Sequence, residues 1–170
     1  MPWTIRDVQD RDRGAILALV RAAFTDATRD GSEEVQVVLE TWEWNAVAGG
    51  LDLVALDGEL IIGHVLGGVG DLGGHPIVAV APLAVEPGHQ GAGVGTALMQ
   101  ELLKRAERAG WPVIFVLGDP RYYGRFGFEP SGPLDITYPP VGPGDPHFMA
   151  RRFADYDDSL RGTFSYCWER

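Results

Sequence analysis

The chain has 170 residues, 45% hydrophobic and 22% charged, with a formal net charge of −10. That length and balance predict one globular domain over residues 1–170, not a disordered or fibrous chain. The charge argues against a nucleic-acid partner, since phosphate binding needs a basic face; it reads first as solubility, and it would also draw in a cationic acceptor such as an amine.

No apolar run approaches the ~20 residues that span a bilayer, so no membrane partner is expected. The opening residues, MPWTIRDVQDRDRG, are charged and lack the apolar centre of a signal peptide. Cys167 is the only cysteine, which leaves no intrachain disulfide to form. A cytoplasmic location is the expectation.

Trp3 to Arg6 predicts a short opening strand. Asp10 or Asp12 is placed to cap a helix over Ala15, Ile16, Leu19, Val20 and Ala23, whose spacing gives one apolar face, with Phe24 closing it. Gly31-Ser32 opens a second helix with Val35, Val38, Leu39 and Trp42 on its apolar side. Two apolar runs flank Asp57-Gly58, a strong hairpin signal. Asp71 to Pro76 makes a second turn, and Ile77 to Val85 the next strand. Pro82 lacks the amide that a central strand needs, so a bulge or a splay is expected there.

A glycine turn follows, Gln90-Gly91-Ala92-Gly93-Val94-Gly95, and then a helix from Thr96 to Ala109 stopped by Gly110. VIFVL, Val113 to Leu117, is β-branched and continuously apolar, as in a strand buried on both faces. Strand, glycine turn, helix and buried strand make a parallel crossover. GDPRYYGRFGFEPSG has room for a helical turn or two, PPVGPGDP is a loop, and HFMARRF and GTFSYCW read as terminal strands.

Glycines between a strand and a helix leave the first helical amides uncovered, a natural anion site. Three binders compete for it. The dinucleotide fingerprint needs a glycine or alanine at its sixth position, which is Thr96 counted from Gly91 and Leu98 counted from Gly93. The nucleotide phosphate loop needs a lysine where Val94 stands. The string from Val85 to Gly95, VEPGHQGAGVG, resembles the acetyl-CoA motif Q/R-x-x-G-x-G/A of the GNAT superfamily of N-acetyltransferases, with Gln90, Gly93 and Gly95 at its fixed positions. Tyr123-Gly124-Arg125-Phe126-Gly127-Phe128 is similar to a second element of that family, a Tyr followed by x-x-x-G-F. The order of elements matches over nearly the whole chain. One departure stands at Val116, where many members carry an Asn that contacts the CoA arm.

The resemblance implies an α/β fold of the α+β kind, with a mixed, mostly antiparallel central sheet splayed at the motif strand and helices on both faces. It implies acetyl-CoA as co-substrate, no metal, and transfer to a small-molecule or peptide amine acceptor by direct attack in a ternary complex, with a homodimer as a modest expectation. The pyrophosphate would sit on the amides of Gln90, Gly91, Ala92, Gly93, Val94, Gly95 and Thr96. Leu83, Ala84 and Val85 would pair with the pantetheine arm like an added strand, Leu83 donating to the thioester carbonyl. Phe126 is expected beside the cofactor, and Tyr123 is the general acid for the leaving sulfur. Glu86, Asp119 and Asp71 are candidate bases, none of them singled out, while His64 and His75 read as ordinary hairpin residues. Trp42 and Trp44 read as core, Arg151 and Arg152 as a solvated strand face, and Cys167 as a small buried hydrophobe. A non-catalytic CoA-binding or sensing module is the rival reading.

Overall fold

The computed structural model describes residues 2–169; Met1 and Arg170, the ends of the expected 1–170 domain, lie outside the described residues. The strands are β1 (Thr4–Asp7), β2 (Val47–Asp57), β3 (Leu60–Leu72), β4 (His75–Val85), β5 (Val113–Leu117), β6 (Glu129–Pro130), β7 (Ile136–Thr137), β8 (Phe148–Arg152) and β9 (Gly162–Ser165). The helices are α1 (Arg13–Phe24), α2 (Ser32–Glu43), α3 (Val94–Arg108) and α4 (Pro120–Tyr123). Every element expected from the sequence forms. α3 begins at Val94 rather than Thr96, and the two-residue strands β6 and β7 are too short to carry a periodic signal.

The strands run β1-β2-β3-β4-β5-β8-β6 across one sheet, with β9 joining β3 and β7. Pairing is antiparallel except for β4 with β5 and β7 with β9. The sheet is therefore mixed and mostly antiparallel, as expected. The β4–β5 contact is made by the glycine turn and α3, a crossover long enough to return the chain parallel.

Pro82 sets the geometry of the site. Val65 pairs with Leu83 and Leu66 with Ala81, so Pro82 is the extra residue of a bulge. On the other side, β4 pairs with β5 only at Val78 and Ala79. Beyond Ala79 the two parallel strands have separated, and the β4 edge from Val80 to Val85 has no partner strand on that side. A residue without an amide hydrogen is tolerated where the sheet opens.

Two layers cover the sheet. α3 lays Val94, Leu98, Met99, Leu102 and Ala106 on one face, against Leu53, Ala55, Val65 and Ile114. α1 and α2 cover the other with Ile16, Leu19, Val20, Val35 and Val38, against Val54, Leu66 and Ala84. A third, aromatic cluster closes the C-terminal end: Phe115 lies 5.4 Å from Phe148 and 5.3 Å from Phe164, centroid to centroid.

The capping expectation for α1 needs a correction. Asp12 precedes the helix, yet its side chain makes no cap bond to it. The carboxylate accepts from Gln9 N at 2.7 Å and from both terminal nitrogens of Arg6, at 2.7 and 3.1 Å. Asp12 is buried at 5% exposure, so an ion pair from β1 has claimed the group that spacing alone assigned to the cap. The Arg6 guanidinium, with help from Gln9 N–H, holds the Asp12 carboxyl below the usual carboxylate range. A depressed carboxyl stabilises the fold above its unfolded pKa, ~3.9, and loses that contribution as pH falls through its lower folded value. The Asp12→Asn variant should therefore unfold at lower urea than wild type at pH 7, with the gap closing below about pH 4. A gap that stays constant down to pH 2.5 would remove the ion pair from the account.

Candidate active site

The uncovered end of α3 lies at the C-terminal end of β4. Gly91 has φ +79° and Gly93, the residue before the helix, φ +95°. Both are left-handed conformations that non-glycine residues rarely adopt, so these two glycines answer a backbone demand. Gly95 answers a different one. A Cβ there would lie 2.8 Å from Tyr122 Oη and 3.4 Å from Val85 Cγ2. No side chain caps the helix, and the first intrahelical bond is Ala97 N to Gly93 O. The Val94, Gly95 and Thr96 amides make no backbone bond among the described residues, so they face outward as an anion cradle.

Gln90 does not face that cradle with its side chain. Its amide donates to Val85 O at 3.1 Å and so ties the turn to the strand. His89 and Glu86 are bonded at 2.7 Å, with Asp57 3.6 Å from the same imidazole. The Glu86 carboxylate raises the His89 pKa, and His89 in turn lowers that of Glu86. The imidazole is thus held between two carboxylates beside the turn.

α4 and the turn after it form the opposite wall. Asp119 caps α4, accepting from Arg121 N at 2.8 Å. The four-residue helix then presents Tyr122 and Tyr123 in different directions, their rings edge to face at 5.0 Å. Tyr122 points its hydroxyl at Gly95. Arg125 lies over the Tyr122 ring at 4.6 Å, which brings a guanidinium to the same wall. Tyr123 packs edge to face on Phe128 at 5.8 Å, and its ring occupies the place a Gly118 side chain would need. A Cβ at Gly118 would overlap Tyr123 Cε2 and lie 2.8 Å from Cδ2. The Gly118→Ala variant should lose ~1–3 kcal/mol of stability by overpacking, and turnover should fall with it as the ring is displaced. Unfolding and steady-state rates together test this; a variant with wild-type turnover would mean that the ring's position is immaterial.

Two pockets meet here. One, of about 460 Å³, is walled by Leu83, Val85, His89, Gln90, Gly91, the stretch from Gly93 to Thr96, Tyr122, Tyr123 and Arg125. The other, of about 650 Å³, lies where β4 and β5 part, between Pro82, Val116, Leu117 and Asp119 on one side and α2 with the C-terminal aromatics on the other. Phe24, Leu83 and Tyr123 line both. The Tyr123 hydroxyl has no hydrogen-bond partner among the described residues, and burial raises its pKa well above that of a free phenol. It stays protonated at neutral pH, a proton donor at the junction of two pockets.

From residue 13 to residue 128 the sequence matches the family described as the acetyltransferase (GNAT) family. The chain belongs to that family. The Escherichia coli K12 protein YhbS, described as an uncharacterised N-acetyltransferase, is 33% identical over 155 residues, 89% of this chain and 87% of its own length. A crystal structure of E. coli YhbS in complex with CoA aligns with a TM-score of 0.87 at 30% identity, over all of this chain and 93% of that one. A GNAT family acetyltransferase from Brucella melitensis in complex with acetyl-CoA aligns at 0.79 and 26%, over 96% and 95% of the two chains.

In this acetyltransferase the residues singled out by the sequence are brought together, with three exceptions. Ala84 is 1% exposed and turned away from the pockets. Glu86 N donates to Ile62 O on β3, and strand alternation gives Ala84 the same direction. Leu83 and Val85 are therefore the residues whose backbone faces the open edge, and the Val85 carbonyl is already taken by Gln90. Phe126 lies outside the lining of both pockets and supports Tyr122 from behind, 5.5 Å between centroids. Ala92 is exposed and also outside the first pocket's lining, so only its backbone belongs to the turn.

Among the candidate bases, Asp119 lines the second pocket but is held by Arg121 at 3.1 Å, which depresses its pKa and makes it a poor base. Asp71 accepts from Gly74 N in its hairpin turn. His64 is fully buried against Asp52 at 2.7 Å, and His75 is exposed on its hairpin. Trp42 donates to Asp52 within the core, and Trp44 is 61% exposed. Arg151 donates to Phe126 O and Arg152 pairs with Glu129. Cys167 is buried. Sequence reading missed Tyr122, Arg125 and His89, and the whole second pocket. The doubled tyrosine and the i, i+3 spacing of Tyr122 and Arg125 were the available signal for the first two.

Proposed function

We propose that the chain transfers an acetyl group from acetyl-CoA to an amine in a ternary complex, with Tyr123 as general acid. The observation that carries this is Tyr123, which lines both pockets and whose hydroxyl is protonated and unpartnered among the described residues. The first pocket suits the CoA end. Its helix amides and the Arg125 guanidinium suit an anion, and Gly95 leaves the space that a Cβ would fill. The open β4 edge at Leu83 suits an extended arm laid alongside it.

Acetyl-CoA supplies the acyl group as a thioester; a C–N bond forms, a C–S bond breaks, and the proton lost by the attacking nitrogen balances the one gained by the departing sulfur. Leu83 N–H, on the open edge, is placed to hold a carbonyl oxygen. Tyr123 gives its proton to the departing sulfur and recovers one from the amine nitrogen or solvent. Asp119 is held by Arg121 and Glu86 by His89, so neither of these two carboxylates is suited to be a base, and the acceptor attacks as the neutral amine. The reading extends to one acetyltransferase domain over residues 1–170, working in the cytoplasm without nucleic acid.

A thermal-shift titration with acetyl-CoA, followed by CoA thiol release across an amine panel, tests the reading. Stabilisation by acetyl-CoA together with amine-dependent thiol release is expected. Stabilisation without release from any amine would favour the non-catalytic CoA-binding module instead.

A further inference from the structure

Resting on the acetyl-transfer reading, we propose that the second pocket is the acceptor subsite and that it selects a dicationic amine, a linear diamine or polyamine. One nitrogen, neutral, would reach Tyr123 while the other, charged, stays in the pocket. Three features of the lining support this choice.

The first is charge. Three carboxylates line the pocket, Glu33, Glu34 and Asp119, and Arg29 is the lining's one basic side chain. Arg29 is already engaged, 2.9 Å from Glu34, and Asp119 is engaged with Arg121. Glu33 has no ion-pair or hydrogen-bond partner among the described residues. An acceptor bearing a carboxylate would meet no available cation here, whereas one bearing an ammonium would meet an uncommitted anion.

The second is Tyr166. It is buried at 7% exposure and lines the pocket, yet its hydroxyl finds no hydrogen-bond partner among the described residues. The side chain is nearly enclosed by protein and lines the pocket, so its hydroxyl is left to bond with whatever occupies that space. Burial raises its pKa, so it remains a phenol whose oxygen can accept from an ammonium N–H. The neighbouring Tyr138 hydroxyl differs, because it is spent on Glu169 at 2.6 Å.

The third is the wall itself. The Tyr166 ring stacks on Trp168 at 4.4 Å with 12° between planes and meets Tyr138 edge-on at 5.3 Å. That wall is therefore aromatic, and aromatic rings attract cations electrostatically. The pocket's volume of about 650 Å³ has room for an acceptor beside Tyr123.

Three amines with the same four-carbon chain separate the possibilities: 1,4-diaminobutane, 1-aminobutane and 4-aminobutanoate. With wild-type protein and acetyl-CoA, kcat/KM should fall in that order. The diamine should exceed the monoamine by about fivefold, the effect of one partly exposed charge pair. In Glu33→Gln that preference should shrink towards one. Tyr166→Phe should raise the KM for the diamine while leaving the unfolding midpoint in place, because the lost hydroxyl has no protein partner. Equal or better use of 4-aminobutanoate, a preference unmoved in Glu33→Gln, or an unmoved KM in Tyr166→Phe would each overturn the assignment. Thiol release with other amines but none of the diamine would overturn it too, leaving acetyl transfer intact. No release with any amine, despite acetyl-CoA binding, would overturn both.

Discussion

Replacing Tyr123 by Phe should lower kcat by roughly 10²–10⁴-fold, the range for losing a positioned general acid. That is ~2.7–5.5 kcal/mol of transition-state stabilisation. The ring, which packs on Phe128 and fills the space beside Gly118, is kept by Phe. The hydroxyl has no protein partner among the described residues, so its removal leaves no orphaned group behind. Acetyl-CoA affinity should therefore stay near wild type. Because burial raises the phenol's pKa, the protonated form persists at neutral and mildly alkaline pH, and the loss should be the same from pH 6 to pH 9. Stopped-flow or steady-state thiol release with a saturating amine measures it, alongside a Kd for acetyl-CoA from calorimetry. Unchanged kcat in a folded variant would sink the assignment, and a loss confined to KM would make Tyr123 a binding group instead.

A bulky side chain at Gly95 should act on the other half of the reaction. A Cβ there already stands 2.8 Å from Tyr122 Oη, so Val must push that tyrosine aside or cover the first amides of α3. Either outcome removes the cradle for an anion. Gly95→Val should weaken acetyl-CoA binding at least 100-fold, about 2.7 kcal/mol. Gly95 has no positive φ to lose, so the helix should still form and far-ultraviolet circular dichroism should be retained. A direct Kd decides the matter. Wild-type affinity in Gly95→Val would place the pyrophosphate elsewhere.

The two variants differ in what they owe to the sequence. Tyr123 was legible as a position because an aromatic-glycine-aromatic string follows the strand after the glycine turn. What distinguishes it from Tyr122, one residue earlier, was not legible. In α4 neighbouring side chains diverge, and that divergence sends the Tyr122 hydroxyl towards Gly95 and the Tyr123 ring against Gly118, where it lines both pockets. The reason for Gly95 was also hidden. Gly91 and Gly93 answer the backbone, a local demand, whereas Gly95 answers a tyrosine 27 positions further along. Asp12 failed as a cap for the same kind of reason, since Arg6 on β1 reaches its carboxylate first.

Local chemistry was enough for much of this protein. Apolar periodicity placed the helices and strands, the missing amide of Pro82 placed the bulge, and the glycine turn with its following helix placed an anion site. These depend on residues within a few positions of one another, where propensity and spacing carry the information. Only the tertiary structure made the second pocket. Its walls come from the end of α1, the start of α2, β4, the turn after β5 and the C-terminal aromatics, which meet because β4 and β5 part beyond Ala79. No local pattern joins Phe24, Glu33, Tyr123 and Tyr166. Their proximity is set by how a twisted, splayed sheet packs its two layers, and that is where the acceptor half of the chemistry is decided.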